Sequence, residues 1–70
     1  MKRRVLMRAI ERRAKMIGKK VTVREGGNHT VVTLGNSMTE IPRHREIPKG
    51  TVRKIVKDLE PELGERWLKI

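Results

Sequence analysis

The 70-residue chain has no cysteine, no phenylalanine and no tyrosine, and Trp67 is its one large aromatic side chain. Without cysteine, neither a disulfide framework nor a thiolate zinc site can hold the fold together. Without aromatics, the core falls to Val, Ile, Leu, Met and Ala, in a chain short enough to bury only about 60% of its unfolded surface. That size allows a single domain. Ser37 is the only serine and sits in a Gly-Asn turn with no neighbouring base, so nucleophilic catalysis lacks support. No Walker-type G-x-x-x-x-G-K-[ST] is present, and the acidic residues show no paired spacing suited to acid–base work. Two histidines without cysteine are too few for a zinc site, and no metal is expected. No apolar run follows the basic start, so neither a signal peptide nor a membrane span is expected, and the cytoplasm is the expected location.

Negative charge is also scarce. Lys and Arg number 18 against 8 Asp and Glu, for a formal net charge of +10. The excess is uneven: residues 1–24 carry ten basic residues against Glu11 alone, while residues 25–70 carry eight against seven acidic. A polyanion is the natural partner of such a surface. Nucleic acid comes first, with an acidic protein and an anionic membrane as the other candidates, and no membrane partner is expected.

Leu6, Ile10, Ala14 and Ile17 recur at helical spacing, with Arg4, Arg8, Glu11, Arg12 and Lys15 opposite them and Gly18 as a stop signal. Arg13 falls near the apolar side. KKVTVRE reads as a strand with one face buried, and Gly26, Gly27 and Asn28 as a hairpin turn using positive φ. HTVVTL is the second strand, GNS (35–37) the next turn, and Met38 to Ile41 a short third strand that Pro42 ends or confines to an edge. After the basic loop RHREIPKG, Val52, Ile55, Val56 and Leu59 predict a second helix from Thr51, which Pro61 is expected to end. The expected architecture is α+β, in the order α-β-β-β-α, with two helices on one face of a three-stranded antiparallel sheet. Residues 1–60 form the domain. Residues 61–70 read as a C-terminal tail, in which Leu63, Trp67 and Ile70 have the spacing of a short helix.

What remains for chemistry is histidine on a basic surface. RNA supplies its own nucleophile, because the 2′-hydroxyl can attack the adjacent phosphorus. A protein then has only to move protons, which suits histidine near neutrality, and to neutralise phosphate charge, which suits Arg and Lys.

REGGNHTVV (24–32) and TEIPRHREIPKGTVRKIVKDL (39–59) together resemble the HicA family of toxin mRNA interferases. The likeness rests on Gly27-Asn28-His29, Ile41-Pro42-Arg43-His44 and Lys49-Gly50-Thr51, with a looser fit of MKRRVLMRAIERRA to that family's first helix. The chain departs from the family at Gly18-Lys19-Lys20, where apolar or aromatic residues are usual, and at Val31-Val32, where many members carry an aromatic. The resemblance implies a double-stranded-RNA-binding-like fold, metal-independent cleavage of mRNA without a cofactor, growth arrest, and neutralisation by a HicB-type antitoxin in a hetero-oligomer. It also implies that His29 is the catalytic residue.

Gly26 and Gly27 are expected to position His29. Arg24, Asn28, Arg43, His44, Arg45, Lys49, Arg53 and Lys54 are expected to contact RNA. Six of the basic residues lie between Arg43 and Lys57, where a helix start adds a favourable dipole. His44 is read as a loop residue contacting phosphate in preference to the second half of an acid–base pair. Two other readings stay open: a module of the same fold that holds RNA without cutting it, and a basic adaptor for an acidic protein.

Overall fold

A computed structural model describes residues 1–69. Its elements are α1 (Arg3–Met16), β1 (Thr22–Glu25), β2 (His29–Leu34), β3 (Ser37–Pro42) and α2 (Lys49–Leu63). The strands form one antiparallel sheet in the order β1-β2-β3, and the fold is α+β as the order of sequence patterns predicts.

Helix α1 buries Leu6, Ile10 and Ala14, the stripe its spacing defines. It ends where a glycine can take φ +71° at Gly18, with Gly18 N–H bonded to the Lys15 carbonyl and Lys19 N–H to the Ala14 carbonyl. These are the two bonds of a Schellman cap, and they satisfy carbonyls that the helix end would leave open. Strand β2 alternates, with Thr30, Val32 and Leu34 buried, while His29, Val31 and Thr33 point the other way. The buried side chains join Ile41, Ile47, Val52, Ile55, Leu59 and Leu63 in one core beneath the helices. The other sheet face carries His29, Val31, Met38, Glu40 and Pro42 and has no helix over it.

Several expectations change. All four residues of β1 are exposed, so this strand buries neither face; it is an edge strand, and Val23 on the helix side is still 42% exposed. Neither Gly26, Gly27 nor Asn28 takes a positive φ, so the β1–β2 connection closes without the left-handed conformation expected of it. The turn that does require it is Gly35, at φ +59°, where a Cβ would run into the Glu62 carboxylate.

The third change concerns Pro61, which lies inside α2 and does not end it. Proline in a helix interior costs about 3 kcal/mol through the lost bond and the clash with the preceding turn. Packing offsets that cost. Leu63 is 1% exposed, and burying a leucine side chain contributes about 1.5–3 kcal/mol. The final carbonyl, that of Leu63, accepts a bond from Arg13 Nε at 3.0 Å. Arg13, near the apolar side of α1, thus serves as a cap for the other helix.

Beyond Gly64 the described tail contains turns and no helix, and Ile70 lies outside the described residues. Trp67 folds back on the core and donates its indole N–H to the Val56 carbonyl at 2.9 Å. The expected boundary between residues 60 and 61 therefore falls within a continuous helix, and the segment after it packs against the rest. Trp67→Ala removes a half-buried ring and this bond, and should cost about 1–3 kcal/mol in urea unfolding followed by circular dichroism. A midpoint equal to that of the parent chain would mean that the tail adds nothing to stability.

Candidate active site on the open face of the sheet

His29 is the first residue of β2, and its cross-strand partner is Pro42, the last residue of β3. The chain continues from Pro42 through Arg43 to His44, so the second histidine follows two residues after the first one's partner. Gly27, Asn28, His29, Pro42, Arg43 and His44 together line an open cleft of about 450 Å³. Both histidines are exposed, and among the described residues neither carries an ion pair.

The structure underneath is fixed by a chain of hydrogen bonds centred on Thr30, which is 0% exposed. Its hydroxyl donates to Glu25 Oε1 at 2.9 Å and accepts a bond from the Arg3 guanidinium. Arg3 Nε also donates to the Pro42 carbonyl at 3.2 Å. Glu25 Oε1 in turn accepts from Arg43 Nε at 3.1 Å, and another Arg43 nitrogen binds the Gly26 carbonyl. The Gly26 N–H bonds to the His29 carbonyl at 2.9 Å. The hairpin that presents His29 is thus held from α1 on one side and from the loop after β3 on the other.

These contacts set the charge of Glu25. The hydrogen bond from Thr30 holds its carboxyl below its ordinary value of 4.5; burial opposes this, and Arg43, by charge and hydrogen bond, and the Arg3 charge add to the lowering. Glu25 is therefore a carboxylate at neutral pH, and it offsets part of the charge of the two arginines.

Of the residues expected at an RNA surface, the fold brings Asn28, His29, Arg43 and His44 into one cleft, with Gly26 and Gly27 in the connecting hairpin. Arg24 lies on the same open face, opposite Val31 and so beside His29 along β2. Arg45 and Lys49 are exposed on the loop and at the first turn of α2 without lining the cleft. Arg53 lines a separate groove with Lys57, Glu60 and Arg66. Lys54 is engaged by Asp58 at 2.8 Å. Burial pushes the Asp58 carboxyl up, but hydrogen bonds from Lys54 and from the buried Thr39 outweigh it and leave it lowered. Asp58 therefore joins α2 to β3 through Thr39, while its pair with Lys54 stays within α2.

Arg3, Glu25 and Thr30 are the site's supporting residues that sequence reading missed. One signal was available: the period-two face of β2 puts Thr30 where Val32 and Leu34 are buried, and a buried hydroxyl needs partners. Nothing in the sequence marked Arg3 as one of them. Among the described residues there is no group of three His, Asp or Glu side chains able to hold a metal ion, and no helix is long and apolar enough to cross a membrane.

A family model described as the HicA toxin of bacterial toxin-antitoxin matches residues 7–60, a span that holds the cleft, β1 to β3 and most of α2. None of the curated proteins or solved structures compared with the chain matches it.

The Glu25 contacts yield a pH dependence. Because the folded carboxyl is held below 4.5, its stabilising effect is complete above that value and is lost as pH falls through the lowered one. The hydrogen-exchange protection of the Gly26 amide should fall over that acid range before that of Val32 in the central strand. In Glu25→Gln it should be low at every pH. Equal loss of protection at both amides would mean that the hairpin has no separate tether.

Proposed function

The chain belongs to the HicA toxin family of bacterial toxin–antitoxin systems, with an antitoxin as its partner, and from that premise we propose that it is a metal-independent endoribonuclease that cleaves mRNA. His29 is its proton-transfer residue. The observation that carries this reading is the position of His29: exposed on the open sheet face, in a cleft with Asn28, Arg43 and His44, on a chain of net charge +10.

RNA fits this cleft chemically. The 2′-hydroxyl attacks phosphorus, the 5′-oxygen leaves, and the products are a 2′,3′-cyclic phosphate and a 5′-hydroxyl. An imidazole handles a proton at neutral pH, and cationic side chains stabilise the charge that builds on the phosphoryl oxygens. Arg43 is such a cation in the lining of the cleft, oriented by Glu25. Arg24, Arg45 and Lys49 extend the positive surface around the cleft, where they contact the flanking phosphates. Arg53 and Lys54 serve more distant parts of the strand.

The antitoxin is of the HicB type, and it neutralises by covering the cleft or the basic surface around it, in the cytoplasm where mRNA is met. Complementary charge would speed its association.

Wild type and His29→Ala should bind RNA equally, while cleavage in EDTA falls about 10²–10⁴-fold in the variant. Cleavage that survives the substitution, or that is absent from the wild type, rules the assignment out. RNA binding by a wild type that does not cut would identify a holding module instead.

A further inference from the structure

The cleft contains a second histidine that the reading above leaves without a task. We propose that His44 is a catalytic partner of His29, the two imidazoles acting as the base and the acid of one in-line displacement. The inference rests on the ribonuclease reading and extends it to a second reacting group.

The chemistry requires two proton-transfer groups. In the first event the 2′-O–H bond breaks, its proton passes to a neutral imidazole nitrogen, and the oxygen forms a bond to phosphorus. In the second, the P–O5′ bond breaks and the departing oxygen takes a proton from an imidazolium. One imidazole ends protonated and the other neutral, so the proton count balances. Attack and departure lie on opposite sides of phosphorus in an in-line reaction. A group must come within about 2.6–3.2 Å of the oxygen it serves, and one fixed ring does not reach both.

The cleft offers only two side chains for these tasks. Its lining consists of Gly27, Asn28, His29, Pro42, Arg43 and His44. Asn28 does not titrate, and an arginine guanidinium stays protonated. The two imidazoles are left.

Their placement suits the task. His29 pairs with Pro42 across the sheet, and two residues beyond Pro42 the chain brings His44 to the same open cleft. At about 450 Å³ that cleft has room for a phosphate beside both imidazoles. His44 is also more firmly placed than a loop position suggests. On one side Arg43 is tied to Glu25 and to the Gly26 carbonyl, and on the other the Arg45 carbonyl accepts the Arg3 N–H at 2.9 Å. Ile47, three residues on, is buried in the core. An exposed histidine is thus held between two anchors, facing a cleft and engaged by no ion pair among the described residues.

The test compares wild type, His29→Ala, His44→Ala and His44→Gln on a dinucleotide RNA and on its analogue with sulfur at the bridging 5′ position. A thiolate leaves without a proton, so the analogue needs a base and no acid. On the normal substrate each His44 variant should lose about 10²–10⁴-fold in kcat, with thermal unfolding unchanged because the side chain is exposed. The bell-shaped pH profile of kcat/KM should lose one limb in His44→Ala and the opposite limb in His29→Ala. The sulfur analogue should restore one of the two alanine variants and leave the other inactive, which assigns the acid.

The pairing is overturned if His44→Ala keeps both limbs, if its loss lies in KM alone, or if the analogue restores both variants or neither. Those outcomes leave His29 catalysis standing. A wild type that does not cleave, or an active His29→Ala, removes the ribonuclease reading and the pairing with it.

Discussion

A hydroxyl group inside an apolar core must find hydrogen-bond partners, because leaving it unpaired costs about 1–3 kcal/mol. In this fold that requirement falls on Thr30, and meeting it organises the site end of the molecule. One partner, Arg3, comes from the first turn of α1; the other, Glu25, comes from the end of β1. Glu25 then receives Arg43 from beyond β3. One buried oxygen thus draws together a helix, a hairpin and a loop. Strand alternation does the rest: Thr30 points in, so His29 points out. The bonded layer lies on the helix side of the sheet and the candidate site on the open side.

Glu62 plays the corresponding part at the opposite end. Its carboxylate accepts from Lys19 Nζ at 2.7 Å and from the Asn36 N–H at 3.3 Å, which joins the end of α1 and the β2–β3 turn to α2. The Lys19 bond is the main cause of its lowered pKa. Exposed ion pairs contribute little singly, but each of these closes a different piece of chain onto the helix that carries much of the core. With no large aromatic inside, apart from the partly covered Trp67, the fold relies on aliphatic burial along α2. The same reliance explains why the helix continues through Pro61 to bury Leu63.

Much of this was legible in the sequence. Apolar spacing located both helices, alternation located β2, and the order of patterns gave the α-β-β-β-α arrangement. The failures have physical causes. Val21 and Val23 alternate like a half-buried strand, but alternation does not say whether a helix reaches that edge of the sheet. Pro61 carries a local bias against helix, and local bias yields to the burial of Leu63. Gly26, Gly27 and Asn28 have turn composition, yet Arg43 and the Gly26–His29 bond close that hairpin without a positive φ. At the site, the sequence singled out His29 by its neighbours and His44 as part of the basic loop. That the two share a cleft was not legible, because it depends on strand register, and Arg3 was not, because its partners lie 27 and 39 residues away in sequence.

That register has its origin far from the chemistry. The pairing of His29 with Pro42 is the last rung of a ladder whose first is Leu34 with Ser37, closed by Gly35 and Asn36. A side chain at Gly35 would press on Glu62 and strain the turn. A shift of one residue there would carry along the whole strand and turn every side chain to the other face. His29 would then point into the core, and Thr30 would lose its partners. The Gly35–Asn36 turn therefore acts as the alignment gauge of the cleft, although it lines none of it.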